Sequence, residues 1–196
     1  MKTLFAETIR SVVATLVFAL ILCGIYPVVV CGIGQTLFKH QANGSLITAK
    51  DGKILGSEWL GQNFTSAKYF HSRPSAAGSG YDAGNSSGTN LGPTSQKLMD
   101  SVKAAVAQYR TDNGLPADAL VPADAVTSSA SGLDPHISVK NARLQAPRVA
   151  KERKLDAGSV QALVDQYTDK PSLGVFGDAG VNVLKLNLAL DQLASK

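Results

Sequence analysis

Charge is missing where its absence says most. No Asp, Glu, Lys or Arg lies between Arg10 and Lys39, and residues 12–33 are apolar apart from Thr15, Gly24, Tyr26, Pro27 and Gly32. As a helix rising about 1.5 Å per residue, that stretch covers about 33 Å, enough to cross the hydrocarbon core of a bilayer. The pattern predicts one transmembrane helix over 11–36, between an N-terminus at 1–10 and a single domain at 37–196. A buried core helix rarely runs so far without a charge. The apolar region of a cleaved signal peptide is shorter, and no A-x-A site follows this one.

Cysteine is scarce as well. Cys23 and Cys31 are the only two, and both fall inside the apolar segment, outside any C-x-x-C pair. That excludes a disulfide-dense scaffold and gives no support to a redox role. Leu22 and Val30 precede them where a lipoprotein anchor carries Gly, Ala or Ser. His40, His71 and His136 have no metal-ligand spacing, so no metal site is expected. Charge of one sign is also slight: 19 Lys and Arg against 15 Asp and Glu give +4 over 196 residues, too little to suggest a nucleic-acid partner.

Within the apolar segment, small residues recur every fourth position at Ser11, Thr15, Ala19, Cys23, Pro27 and Cys31. Steps of four drift by about 40° on a regular helix, so Thr15, Ala19 and Cys23 share one face. Membrane helices approach closely where side chains are small, which makes that face a candidate for packing on another membrane subunit. Lys2, Arg10 and the terminal amine lie nearer the span than Lys50 and Lys53, and Lys39 stands alone on the far flank. This balance places the N-terminus in the cytoplasm and the domain outside it.

Beyond the span the chain reads as α+β. Asn43-Gly44 and Asp51-Gly52 are turn dipeptides on either side of Ser45 to Ala49, the pattern of a hairpin. Residues 76–93 are rich in Gly and Ser and form a long loop. Pro93 and Thr94 open a helix carrying Leu98, Val102, Val106 and Tyr109, and Asn113-Gly114 stops it. Ser138 caps a helix through Leu144, and Pro147 kinks it or begins another. Asp156 caps a helix bearing Val160, Leu163, Val164 and Tyr167. Val181, Val183 and Leu186 read as a strand, with a terminal helix over 188–193.

Some constellations suggest chemistry. Gly84-Asn85-Ser86-Ser87-Gly88 matches G-x-S-x-G, with Asp134 and His136 following in hydrolase order, which makes a membrane-anchored serine hydrolase the alternative function. Against it, residues 76–83 are polar and glycine-rich where a nucleophile elbow needs a buried strand. In Asp134-Pro135-His136, Asp134 caps the following turn, Pro135 sets its entry and Gly132 permits a positive φ. Among Lys140, Arg143, Arg148, Lys151, Arg153 and Lys154, Arg148 is placed for a bidentate salt bridge and the others for a solvated helix face. Arg73 faces the same choice between a pair inside the fold and one with a partner.

Several blocks carry a family resemblance: Gly56-Ser57 with Gly61-Gln62 and Phe64; Tyr69-Phe70 with Arg73-Pro74-Ser75-Ala76; Asn90-Leu91-Gly92-Pro93; Val126-Thr127; Ser131-Gly132-Leu133-Asp134-Pro135-His136-Ile137; Pro147-Arg148-Val149-Ala150; and Val181-Asn182-Val183-Leu184 with Leu186-Asn187-Leu188-Ala189-Leu190-Asp191. In this order, after one span, they resemble the C subunit of the Kdp-type potassium-transporting ATPase of bacteria. The resemblance implies an accessory, non-catalytic subunit of an inner-membrane import complex, with a channel-like potassium-translocating subunit and a P-type ATPase subunit as partners. Potassium is then handled by the complex. The family is also described as a catalytic chaperone raising the pump subunit's affinity for ATP, with its Gly and Ser loop compared to a nucleotide-binding signature; here that loop reads Ser86-Ser87-Gly88-Thr89-Asn90. The chain itself lacks D-K-T-G, since Pro171 follows Asp169-Lys170, and has neither T-V-G-Y-G nor a P-loop.

Overall fold

A computed structural model describes residues 2–194 of the chain. Met1, whose amine enters the flank charge, lies outside the described residues, as do Ser195, Lys196 and the Lys2 side chain. The chain divides into two units, at 1–46 and 47–196.

The first unit is dominated by one long helical stretch, Thr3–Leu37, 35 residues long and with none of its most apolar window buried. Its backbone is not uniform. An α-helix, α1 (Lys2–Ala19), passes into a π-helical turn at Leu20–Ile25 and then into α2 (Tyr26–Leu37). Proline explains the change of register: Pro27 has no N–H, and in a regular helix its ring would meet the carbonyl of Cys23. Widening the preceding turn to i→i+5 bonds removes the clash, and the Tyr26 N–H donates to Ile21 O. The Thr8, Thr15 and Thr36 hydroxyls donate to the carbonyls of Leu4, Ser11 and Gly32, so these polar tips are satisfied within the helix. Phe38, at φ −129° and ψ 42°, ends α2, and a single turn, α3 (Lys39–Ala42), follows. Asn43 and Gly44 (φ +88°) close that turn.

In the second unit, α+β as expected, irregular chain is wrapped around a small sheet and three helices. The strands β1 (Leu46–Thr48) and β2 (Ile54–Ser57) form the hairpin, turned by Asp51-Gly52 with Gly52 at φ +82°. The second sheet has three short antiparallel strands in the order β3 (His136–Ser138), β5 (Gly180–Asn182), β4 (Thr168–Asp169), with Ile137 opposite Val181 and Thr168 opposite Val181. Against it lie α5 (Val139–Arg153), α6 (Ala157–Gln166) and α7 (Val183–Ala194). The core joins Ile137 and Val181 from the sheet to Ala142, Ala146, Val149 and Ala150 of α5, Val160 and Val164 of α6, Leu186 and Leu190 of α7, and Phe70 from the irregular segment. Alanine at 142, 146 and 150 lets α5 and α6 approach closely.

Three element boundaries differ from the sequence reading. The helix α4 (Gln96–Asp112) begins after Ser95, whose hydroxyl accepts from Leu98 N, instead of at Pro93 and Thr94; it ends at Asn113 and Gly114 as expected. The helix capped by Ser138 does not end at Leu144 or at Pro147 but runs to Arg153, because Pro147 lies on its exposed face while Ala146, Val149 and Ala150 are buried on the other. Val183 and Leu186 are helical: Asn182 closes β5 and its Oδ1 accepts from Lys185 N at 3.1 Å, the hydrogen bond of an N-cap, so α7 starts five residues before 188. Asp156 caps α6 as expected.

Candidate functional site

Residues 58–76 contain almost no regular structure, yet Phe70 is wholly buried. Its backbone polar groups therefore need partners that neighbouring strands do not supply. Two side-chain amides take the place of a strand. Asn187 of α7 accepts from Phe70 N at 2.9 Å and donates to Phe70 O at 3.0 Å. Gln145 of α5 accepts from His71 N at 2.8 Å and donates to His71 O at 3.2 Å. Each amide mimics one residue of a β-ladder.

Arg148, one turn beyond Gln145, completes the clamp. It donates through Nη1 to the carbonyls of Ala67 and Tyr69, through Nη2 to Gln145 Oε1 at 2.8 Å and through Nε to Asn113 Oδ1 at 3.0 Å. The expected salt bridge is replaced by neutral acceptors, since a guanidinium's fixed fork suits converging carbonyls as well as a carboxylate. Burial lowers its pKa from the usual arginine value, and Tyr109, Asp112 and Glu152 oppose that shift. His71 is likewise held below its ordinary value, first by burial and then by the Arg148 charge. The Tyr109 hydroxyl donates to Asn141 Oδ1 at 2.8 Å, and burial, aided by Asp124, raises its pKa strongly.

Sequence reasoning did not single out Asn141, Gln145 or Asp124. Asp124 accepts from Ser138 N, Ser138 Oγ and Asn141 Nδ2 at 2.8 to 2.9 Å, tying the start of α5 to the loop before β3. A signal existed: Asn141, Gln145 and Arg148 stand at i, i+4 and i+7, a polar stripe beside the apolar one. Arg153, expected on a solvated face, is also corrected. Its side chain is only 7% exposed, lies 4.6 Å from the Tyr69 ring centroid and pairs with Asp191 at 2.8 Å. The neighbouring backbone of residues 67–70 and α7 enclose it.

Arg73 does form an ion pair, with Asp134 at 2.9 Å, while Asp134 Oδ1 also accepts from His136 N. Gly132 has φ +64°, and a Cβ there would stand 3.1 Å from the Tyr81 backbone, so both its conformation and its bareness are used. Pro74 and Ser75 lie in a short parallel bridge with Ser129: Ser129 N donates to Pro74 O and Ala76 N to Ser129 O. Ser131 Oγ accepts from Leu133 N. These blocks thus converge on one another.

The hydrolase residues are engaged elsewhere. Ser86 Oγ donates to Ala130 O, Asp134 pairs with Arg73, and His136 Nε2 pairs with Asp169 at 2.8 Å. In the 86–90 loop the Ser86 hydroxyl and the Ser87 N–H both turn to Ala130 O, Asn90 is left-handed at φ +52°, and none of the five residues is cationic. Gly92 and Pro93 lead from it to the Ser95 cap, with Gly92 O accepting from Ser95 N. The Ser86 hydroxyl and the Ser87 N–H are thus engaged within the domain. Beside the clamp, a cleft of about 540 Å³ is lined by His71, Tyr81, Tyr109, Asp112 and Asn141 among others. No cluster of three or more His, Cys, Asp or Glu is placed to hold a metal among the described residues.

Thr15, Ala19 and Cys23 lie in the first unit, Thr15 and Ala19 on α1 and Cys23 in the π turn. A π turn has roughly 4.4 residues, so the step from Ala19 to Cys23 runs back by about as much as the step from Thr15 to Ala19 runs forward. Thr15 and Cys23 therefore line up more closely than on a regular helix.

A family model described as K+-transporting ATPase, c chain, matches residues 8–192. The chain is 54% identical over 187 residues to the potassium-transporting ATPase KdpC subunit of Mycobacterium tuberculosis, covering 95% of this chain and 98% of that one. It is 51% identical over 186 residues to the KdpC subunit of Nitratidesulfovibrio vulgaris, covering 94% and 93%. The KdpC subunit of Koribacter versatilis is 49% identical over 184 residues, covering 93% of each chain. With a match that spans the apolar helix, the clamp and the capped α7, the chain belongs to the KdpC family, the c chains of K+-transporting ATPases.

Proposed function

We propose that this subunit assembles and stabilises an ATP-driven potassium import complex and carries no catalytic step of its own. Its partners in this reading are a channel-like potassium-translocating subunit and a P-type ATPase subunit in the bacterial inner membrane. The observation that carries the reading is where the polar residues of the family blocks point. Arg73, Asp134, Arg148, Asn182 and Asn187 bind other parts of the same domain, as structural residues do. Residues 1–10 lie in the cytoplasm, 11–36 cross the membrane, and 37–196 lie on the periplasmic or extracellular side. ATP on the cytoplasmic side is then out of reach of the 86–90 loop, and any effect on the pump's ATP affinity passes through the membrane subunits.

Deleting the subunit is expected to abolish assembly and potassium uptake together. Ser86→Ala and His136→Ala are expected to leave turnover per assembled complex intact. An assembled complex that loses turnover through His136→Ala alone overturns the reading. For sidedness, a cysteine at the exposed Ser79, in a chain with Cys23 and Cys31 replaced, is expected to react with an impermeant thiol reagent in intact cells. Labelling only after lysis places the domain inside and reopens direct contact with ATP.

A further inference from the structure

The widened turn in the apolar helix leaves the Leu22 carbonyl without a backbone donor among the described residues. Tyr26 N–H donates five residues back to Ile21 O. The next carbonyl in that register belongs to Leu22, and its donor would be residue 27, a proline with no N–H. Val28 is six residues on, outside the i→i+5 bond of a π turn. The threonine hydroxyls of the helix do not fill the gap, since Thr15 and Thr36 donate to Ser11 and Gly32. In water such a carbonyl is solvated, but acyl chains carry no donor, and an unpaired peptide group in hydrocarbon is strongly disfavoured. The surface of the same turn is bare. A Cβ on Gly24 would meet only Leu20 Cδ1, at 3.7 Å, and Cys23 is small.

We propose that the Leu22 carbonyl accepts a hydrogen bond from a hydroxyl or amide side chain on a membrane helix of another chain of the transporter. The inference rests on reading Thr3–Leu37 as a membrane span. Complementarity of charge selects the occupant: the carbonyl is a fixed partial negative charge, lipid tails offer nothing to meet it, and a neighbouring helix with a hydroxyl or amide donor does. Gly24 and the small residues at 19 and 23 admit that helix to close range. The π turn thereby becomes a polar docking point within an otherwise apolar contact.

The test uses the full chain carrying a carbon-13, oxygen-18 carbonyl label at Leu22, introduced by semisynthesis, and reads its amide band by infrared spectroscopy in bilayers, alone and in the assembled transporter. The expected result is a band at the frequency of a free carbonyl in the unassembled subunit, moving to lower frequency on assembly. Pro27→Ala restores an N–H, so its labelled band is expected already low and unmoved by assembly, with association roughly three- to fifteen-fold weaker. A wild-type band that does not move on assembly, or is already low in the free subunit, overturns the proposal while leaving the span intact. A shift that also appears when only the subunit is present at high density assigns the donor to a second copy and overturns it too. Release of the chain by alkaline carbonate overturns the membrane reading, and this inference with it.

Discussion

The two units of this chain satisfy their backbone polar groups in opposite ways. Over 1–46 nearly every hydrogen bond closes within a turn or two, and large apolar side chains such as Leu16, Leu20 and Val28 are more than 60% exposed. Over 47–196 the decisive bonds are long-range: Phe70 is held by Asn187 and Ala67 by Arg148, more than 80 residues away in sequence. Away from its π turn the helix is self-sufficient in hydrogen bonding, whereas an irregular buried segment depends on side chains from distant elements. The first unit is therefore sensitive to what lies around it, and the second to what lies within.

The largest expected effect tests the second half of that contrast. Arg148→Ala leaves the carbonyls of Ala67 and Tyr69 and the amides of Gln145 and Asn113 short of a donor, and is expected to destabilise the domain by about 3 kcal/mol. Thermal unfolding of the detergent-solubilised chain should show a fall of about 6 to 12 °C, with membrane insertion unaffected. Arg148→Lys should recover little, because one ammonium cannot reproduce the fork. Asn187→Ala is expected to follow at about 2 kcal/mol, by the same measurement. Gly132→Ala comes next at about 1 to 2 kcal/mol, from its left-handed φ and the 3.1 Å approach to Tyr81.

The opposite substitution sharpens the other half. Ala19→Leu keeps the first unit apolar and removes close approach, so the yield of assembled complex should drop while the domain's unfolding temperature stays constant. A coupled loss of both would break the contrast.

The smallest effect is a pH dependence. Burial, and after it the Arg148 charge, hold the His71 pKa in the folded domain below the usual 6.5, so the unfolded chain binds the extra proton first. Its contribution to stability is full above about pH 6.5 and is lost as pH falls through the folded value. The slope of stability against pH in that window should flatten in His71→Gln.

Much of the helical content was legible locally. The uncharged run from 11 to 38 announced a long apolar helix, Asp156 and Ser138 announced their caps, and Asn113-Gly114 the end of α4. The misreadings share one origin. Val181 and Val183 alternate as a strand does, but Asn182 caps a helix, and Leu186 and Leu190 reach the core at helical spacing. Pro147 looked like a break, but its ring faces solvent. Arg153 looked solvated until Tyr69 and Asp191 closed over it. Each depended on which face of an element meets another element, which no local pattern states.

By itself the sequence determined the apolar helix, the capped helices and the absence of pump and filter motifs, because these follow from propensity, capping and composition within a few residues. Only the tertiary structure decided that Asn141, Gln145, Arg148 and Asn187 are internal clamps, that Arg148 binds carbonyls, and that Ser86, Asp134 and His136 have separate partners. A polar side chain carries the same letters whether it reaches solvent, a substrate or a distant backbone. Which of these it meets is settled when burial leaves a peptide group elsewhere in the chain without a partner.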